Sequence, residues 1–179
     1  RHLDPQHRIL LSCTWSAMEN AGYLTEEQAG KVSVFVSQST LSSYFWQNVE
    51  SHTRDISPSA VYRMVIDNNP DFLASRIAYQ FNFTGQSMTI QTGCSSSLVS
   101  VCQATESLLK KECDMAIAGG VCITLPLKGG YQYENGMILS PDGQCRPFDE
   151  KANGTVPGNG VGVIVLRRLS DAVASGDYI

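Results

Sequence analysis

The chain has 179 residues, a formal net charge of −4 and 42% apolar side chains, enough for one domain with a substantial core. That acidic balance, with no stretch where Lys and Arg mix with aromatics, excludes a nucleic-acid binder. No apolar run approaches the ~20 residues of a membrane span and the first residues carry no secretory pattern, so neither membrane nor export is expected.

In chain order, Asp4-Pro5 opens a helix, with Ile9, Leu10, Cys13, Ala17 and Ala21 as its apolar stripe and Gly22 at its end. Lys31 to Ser37 is a predicted strand. The polar, aromatic-dotted segment 38–48 is a loop leading into a short helix. Ser59 to Ile66 reads as helix, and Asn69-Pro70-Asp71 starts another with Phe72, Ile77 and Tyr79 as candidate buried positions. Ser87 to Thr92 alternates as a half-buried strand does, and Asp114 to Ile123 is an apolar run suited to a strand buried on both faces. Pro126 to Met137 is mixed and glycine-rich, and Ser140-Pro141-Asp142-Gly143 signals a turn. Gly160 to Leu166 is predicted as a further buried strand and Leu169 to Ala174 as a short helix. Strands alternating with helices place the chain in the α/β class.

The run Gly158-Asn159-Gly160-Val161-Gly162 enters a strand and not a helix, which argues against a phosphate-binding loop. Arg1 is not an initiator methionine, and Gly176-Asp177-Tyr178-Ile179 reads as the approach to another strand. Both ends are therefore expected to cut through a larger fold. The six cysteines (13, 94, 102, 113, 122 and 145) form no C-x-x-C pair, so no metal site is expected, and they suit free thiols in a reducing cytoplasm.

One cysteine stands apart. Gly93 turns the chain out of the strand ending at Thr92, and Leu98, Val101, Cys102, Thr105, Leu108 and Leu109 follow at helical spacing, with Lys110-Lys111 at the far end. Cys94 thus lies at a helix start, where unpaired backbone N–H groups and the helix dipole stabilise a thiolate. A small buried residue capping a core helix is the plain alternative. The turn and the three serines that follow favour a nucleophile. A cysteine nucleophile usually works with a histidine, yet His2, His7 and His52 all precede it in polar settings that predict solvent-facing side chains.

Asp4-Pro5-Gln6-His7-Arg8, Thr92-Gly93-Cys94-Ser95-Ser96-Ser97-Leu98, Ala118-Gly119-Gly120-Val121 and Ser140-Pro141-Asp142-Gly143-Gln144-Cys145-Arg146-Pro147-Phe148-Asp149 occur in that order. Together they resemble the β-ketoacyl synthase domains of modular type I polyketide synthases. Residues 68–85, Gln91-Thr92, 131–139 and Gly158-Asn159-Gly160 look most like those of mixed polyketide–nonribosomal peptide assembly lines. The resemblance implies a thiolase-like layered αβαβα fold. Residues 1–179 would form a partial domain covering much of its N-terminal half, without the opening strand and without the later segments that carry two catalytic histidines.

By the same resemblance, Cys94 takes an acyl chain as a thioester from an acyl carrier protein. A carrier-bound malonyl-type unit then decarboxylates with help from those histidines, and its carbanion attacks the Cys94 thioester. The Cys94 backbone N–H serves as one donor of the oxyanion hole, and Tyr133 and Met137 line the acyl pocket, although ordinary core packing would account for these two equally well. No metal or redox cofactor is implied, because the phosphopantetheine arm belongs to the carrier. A cytoplasmic homodimer, paired through strand Ser87 to Thr92, is implied as well.

Two positions depart from the family pattern. Gly93 stands where alanine is common, a tolerated change, and Gln86 stands where proline is frequent, which bears on dimer stability. Two further readings compete. A non-catalytic fragment that only binds a carrier partner would ordinarily have lost the cysteine. A cysteine hydrolase of another α/β fold would need a Cys–His pair that this sequence does not offer.

Overall fold

The computed structural model describes residues 3–23, 29–40, 44–45, 57–125 and 129–179. Asp4 caps α1 (Pro5–Ala21) by accepting the Gln6 N–H at 2.7 Å, and Gly22 closes the helix at φ 80. Strand β1 (Val32–Gln38) follows, then α2 (Pro58–Asn68), a 3₁₀ turn (Pro70–Phe72), α3 (Leu73–Phe81) and β2 (Ser87–Thr89). A second 3₁₀ turn (Gly93–Ser95) leads into α4 (Ser96–Leu109), and β3 (Met115–Cys122), β4 (Gly160–Arg167) and α5 (Leu169–Ser175) complete the order.

The strands form one sheet in the order β2-β1-β3-β4, with β1 parallel to β2 and β3, and β4 antiparallel to β3. Every residue of β1 is buried. Its Val32, Val34 and Val36 join Ile117 and Met115 against Leu10 and Met18 of α1 and Leu73 and Ile77 of α3. Phe35 points to the opposite face, where Ala116 and Ala118 of β3 pack with Ala104 and Leu108 of α4. Alternation along a pleated strand thus feeds two cores and sets helices on both sides of the sheet. The connection from β2 through α4 to β3 passes over β1, so α4 begins at the end of the sheet where the parallel strands finish.

The α4 packing keeps Leu108 and the half-buried Val101 of the predicted stripe on the sheet side and turns the rest outward. Its sheet face carries Ser96, Ser100, Ala104, Ser107 and Leu108, whereas Leu98 and Leu109 are 66% and 69% exposed and Cys102 is exposed too. Small residues permit the close approach, and Ser100 satisfies its hydroxyl within the helix by donating to the Ser96 carbonyl at 2.9 Å. At Gly120 the contact is so tight that a Cβ would stand 3.1 Å from that of Ser97 and 2.6 Å from Ser37 Oγ. The far end of α4 is tied down by Arg168, which donates to the Leu108 and Cys113 carbonyls and pairs with Asp114 and Asp171.

Other expectations shift for similar reasons. The buried stripe of α1 is Gln6, His7, Leu10, Thr14 and Met18, one step round from the predicted one, and Ile9 is exposed. His7, predicted at the surface, is fully buried. In α3 Ile77 is buried as expected, but Tyr79 and Phe72 face outward, and Leu73, Ala74 and Ala78 take the core positions. The β2 pairing covers only Ser87–Thr89, with Ser87 and Met88 exposed and Thr89 half-buried. The predicted strand at Gly160 to Leu166 exists, but as the outermost strand with Val161 and Ile164 exposed and not as one buried on both faces. His2, His52 and most of segment 38–48 lie outside the described residues.

Candidate active site

Cys94 occupies the middle of the 3₁₀ turn that joins the β2 segment to α4, and it is exposed. It borders a cleft of about 920 Å³, within the range typical of small-molecule sites. One wall is the start of α4, with Cys94, Ser97 and Leu98; the floor is Gly119, Gly120 and Cys122 of β3 beside Gly160 and Gly162 of β4. Ser37 to Thr40, running off the end of β1, closes the other side. These segments meet at the C-terminal edge of the parallel strands, where open α/β sheets place their ligands.

The turn itself is built from backbone constraints and serine hydroxyls. Gly93 has φ 66, in the left-handed region where a Cβ is strained even though space is open around it. Glycine thus suits this turn, in line with the expectation that it is tolerated here, and an alanine at this φ would cost about 1 kcal/mol. Ser96 Oγ accepts the Thr92 N–H at 2.8 Å and donates to the Gly93 carbonyl at 2.7 Å. Ser95 Oγ donates to the Thr92 carbonyl at 3.0 Å and pairs with Thr92 Oγ1 at 3.0 Å.

Behind the cleft, two glutamines fix the strand ends. Gln6 is fully buried; its Nε2 donates to the Ser39 carbonyl at 3.0 Å and its Oε1 accepts the Ile123 N–H at 3.1 Å, bridging the segments that leave β1 and β3. Gln91 Nε2 donates to the Gln38 carbonyl at 2.9 Å, tying the segment before the Cys94 turn to the end of β1. Sequence reasoning missed both. The signal for Gln6 was a polar residue one turn before Leu10 on the buried face of a helix, a position that is unfavourable unless both amide atoms find partners.

Not every predicted site residue converges here. Tyr133 and Met137 are 49% and 65% exposed and are not among the residues lining this cleft; the Tyr133 hydroxyl donates to Asn135 Oδ1 at 3.3 Å. The Ser140-Pro141-Asp142-Gly143 turn directs its polar groups to itself, since Arg146 and the Ser140 hydroxyl hold the Asp142 carboxyl well below the usual carboxylate range. His7 is buried on α1 and does not line the cleft; burial and then the Arg76 cation push its imidazole down to about 4. The Gln38 side chain is near enough to oppose that shift, yet neither ring nitrogen of His7 completes a hydrogen bond, and Gln38 Oε1 has none either. His7 is therefore a neutral core residue and not a partner for Cys94. All six cysteines are free thiols.

Comparison with known proteins gives one consistent answer. The family profile described as "Beta-ketoacyl synthase, N-terminal domain" matches residues 1–172. A component of the phenolphthiocerol/phthiocerol polyketide synthase of Mycobacterium tuberculosis is 45% identical over 186 residues, covering 99% of this chain and 12% of that protein. The spectinabilin polyketide synthase system protein NorA of Streptomyces orinoci is 38% identical, covering 99% of this chain and 9% of that protein. Among solved structures, ketosynthase twelve of the bacillaene polyketide synthase from Bacillus amyloliquefaciens superposes with a TM-score of 0.87 at 33% identity, over 99% of this chain and 30% of that one. The oxazolomycin ketosynthase domain OzmH KS7 of Streptomyces albus gives 0.78 at 33% identity, again over 99% of this chain and 30% of that one. The chain therefore spans about a third of a solved ketosynthase and about a tenth of the curated relatives.

Proposed function

The chain belongs to the β-ketoacyl synthase family, as the N-terminal part of a thiolase-like polyketide ketosynthase, and on that premise we propose that Cys94 is its acyl-carrying nucleophile. The observation that carries this reading is an exposed cysteine on a 3₁₀ turn at the mouth of a cleft, at the C-terminal edge of the parallel strands. The Cys94 thiolate attacks the carbonyl of a thioester held on the phosphopantetheine arm of an acyl carrier protein. The bond to the arm breaks, the arm leaves as its thiolate, and the acyl group stays on Cys94. A carrier-bound malonyl-type extender then loses carbon dioxide. The carbanion so formed attacks the Cys94 thioester, making the carbon–carbon bond and freeing the thiolate.

The backbone N–H of Cys94, in the first turn of a helical segment, is suited to receive the developing oxyanion. This chemistry draws on no metal or redox group, and the phosphopantetheine is the partner's. Groups that assist decarboxylation would come from chain outside these residues. Tyr133 and Met137 join the acyl pocket in this reading on resemblance alone, and would do so where further chain or a second copy closes over them.

In the complete ketosynthase domain carrying these residues, an acyl thioester and a malonyl-carrier are expected to yield β-ketoacyl-carrier and carbon dioxide in equal amounts. Release of free acid with no new carbon–carbon bond would favour a hydrolase instead. The setting proposed is a cytoplasmic homodimer in which the open outer edge of β2 pairs with its two-fold mate. Light scattering of the active domain at the mass of one chain would refute that pairing.

Residues 1–179 alone are expected to be inactive and loosely packed. Helix α4 exposes Leu98 and Leu109, and β4, at the end of the sheet, leaves Val161 and Ile164 uncovered. A broad thermal transition with dye binding is the expected outcome for this fragment. Sharp cooperative unfolding together with condensation would show that nothing further is needed.

A further inference from the structure

We propose that Ser96 is a positioning residue for the reaction, aiming the Cys94 backbone N–H at the site where a thioester oxygen gains charge; this rests on Cys94 being the acylated residue. The Gly93 carbonyl and the Cys94 N–H belong to one planar trans peptide, so they point in opposite directions and turn together. Ser96 Oγ holds that carbonyl at 2.7 Å, beside the Ser96 N–H that also donates to it. Ser96 is 7% exposed, on the sheet face of α4. With the Ser96 N–H, this hold keeps the carbonyl pointing along the turn into α4, so the Cys94 N–H points the opposite way, out of the helix start at the exposed turn where Cys94 stands.

Gly93 makes such a hold necessary. Its left-handed conformation at φ 66 has no Cβ to oppose rotation of the next peptide, and nothing lies within 4 Å of the position a Cβ would take. A flip of the Gly93–Cys94 peptide would present a carbonyl oxygen to the developing oxyanion in place of a donor. The same hydroxyl accepts the Thr92 N–H at 2.8 Å, so one buried side chain fixes the backbone on both sides of the glycine. Ser95, which is exposed, supports the turn from outside through the Thr92 carbonyl at 3.0 Å.

The test compares two reagents at Cys94 in the complete ketosynthase domain. Attack on an acyl N-acetylcysteamine thioester develops an oxyanion, whereas displacement on iodoacetamide does not. Ser96→Ala is expected to slow acylation by about tenfold or more while iodoacetamide alkylation changes by less than about twofold. Ser96→Thr, which keeps the hydroxyl, restores acylation. Ser95→Ala, at an exposed position that leaves the fold intact, slows acylation by a smaller factor and again spares alkylation, so the proposal stays testable even where Ser96→Ala is poorly folded. Parallel slowing of both reactions, or acylation unaffected in both alanine variants, overturns the positioning role. Wild-type protein acylated at another residue overturns the ketosynthase reading instead.

Discussion

Replacing Cys94 with alanine is expected to remove acyl transfer and condensation together, by at least about a thousandfold, because no second nucleophile among the described residues can take its place. Among those residues the only other cysteine on the cleft is Cys122. It is half-buried in β3, with its Sγ 3.9 Å from Thr124 Oγ1, and it lacks the helical turn that presents Cys94. Cys94→Ser should fall nearly as far, since thioester exchange favours a soft sulfur nucleophile over a hard hydroxyl oxygen. Radiometric detection of carbon dioxide and of the β-ketoacyl product checks both variants. Condensation retained in Cys94→Ala would place the nucleophile elsewhere.

The second large effect concerns acid stability and arises at His7. Burial without hydrogen-bond partners, reinforced by Arg76, lowers its imidazole from 6.5 to about 4, with Gln38 and Asp67 acting weakly the other way. The folded-state value lies below the unfolded one. Above pH 6.5 both states are neutral at this site and the full stability is present. Between 6.5 and about 4 the unfolded chain takes up a proton that the folded chain refuses, so stability falls as pH falls. At about 1.4 kcal/mol per pH unit the loss approaches 3 kcal/mol. Asp4, raised by burial, acts in the opposite sense near the lower end of that window, and the Asp171 and Asp177 carboxyls are shifted below it. Urea midpoints from pH 7.5 to 4 should therefore decline less steeply for His7→Gln than for wild type. Identical slopes would mean that His7 takes up its proton as readily folded as unfolded.

The order of elements was legible in the sequence because it rests on local signals. Asp4-Pro5 and Gly22 bracket α1, the glycine after Thr92 marks the turn, and the apolar run before Ile123 reads directly as β3. Which face of each element is buried was harder to read. Helix α4 departs from the simple rule: Ser96, Ser100 and Ser107 face the sheet beside Ala104 and Leu108, Ser96 and Ser100 donating their hydroxyls to backbone carbonyls, while Leu98 and Leu109 are exposed. Likewise β4 is as apolar as β3, yet its place at the end of the sheet exposes it, and position in a sheet is a tertiary property that composition does not encode. His7 was misplaced because its neighbours Gln6 and Arg8 are polar, while Gln6 itself turns inward to bridge β1 and β3. At the site, the glycine-led turn that presents Cys94 ahead of α4 was legible in the sequence. The roles of Ser95 and Ser96 were not, since they depend on which carbonyl each hydroxyl reaches.

The most direct measurement is to locate the acyl group on the protein. The complete domain is incubated with an acyl thioester in the absence of extender, quenched in acid, digested and sequenced by tandem mass spectrometry. One acyl group per chain is expected, on the peptide containing Cys94, with Cys102 and Cys145 unmodified although both are exposed. An acyl group on either of those, or none on Cys94, would contradict the account.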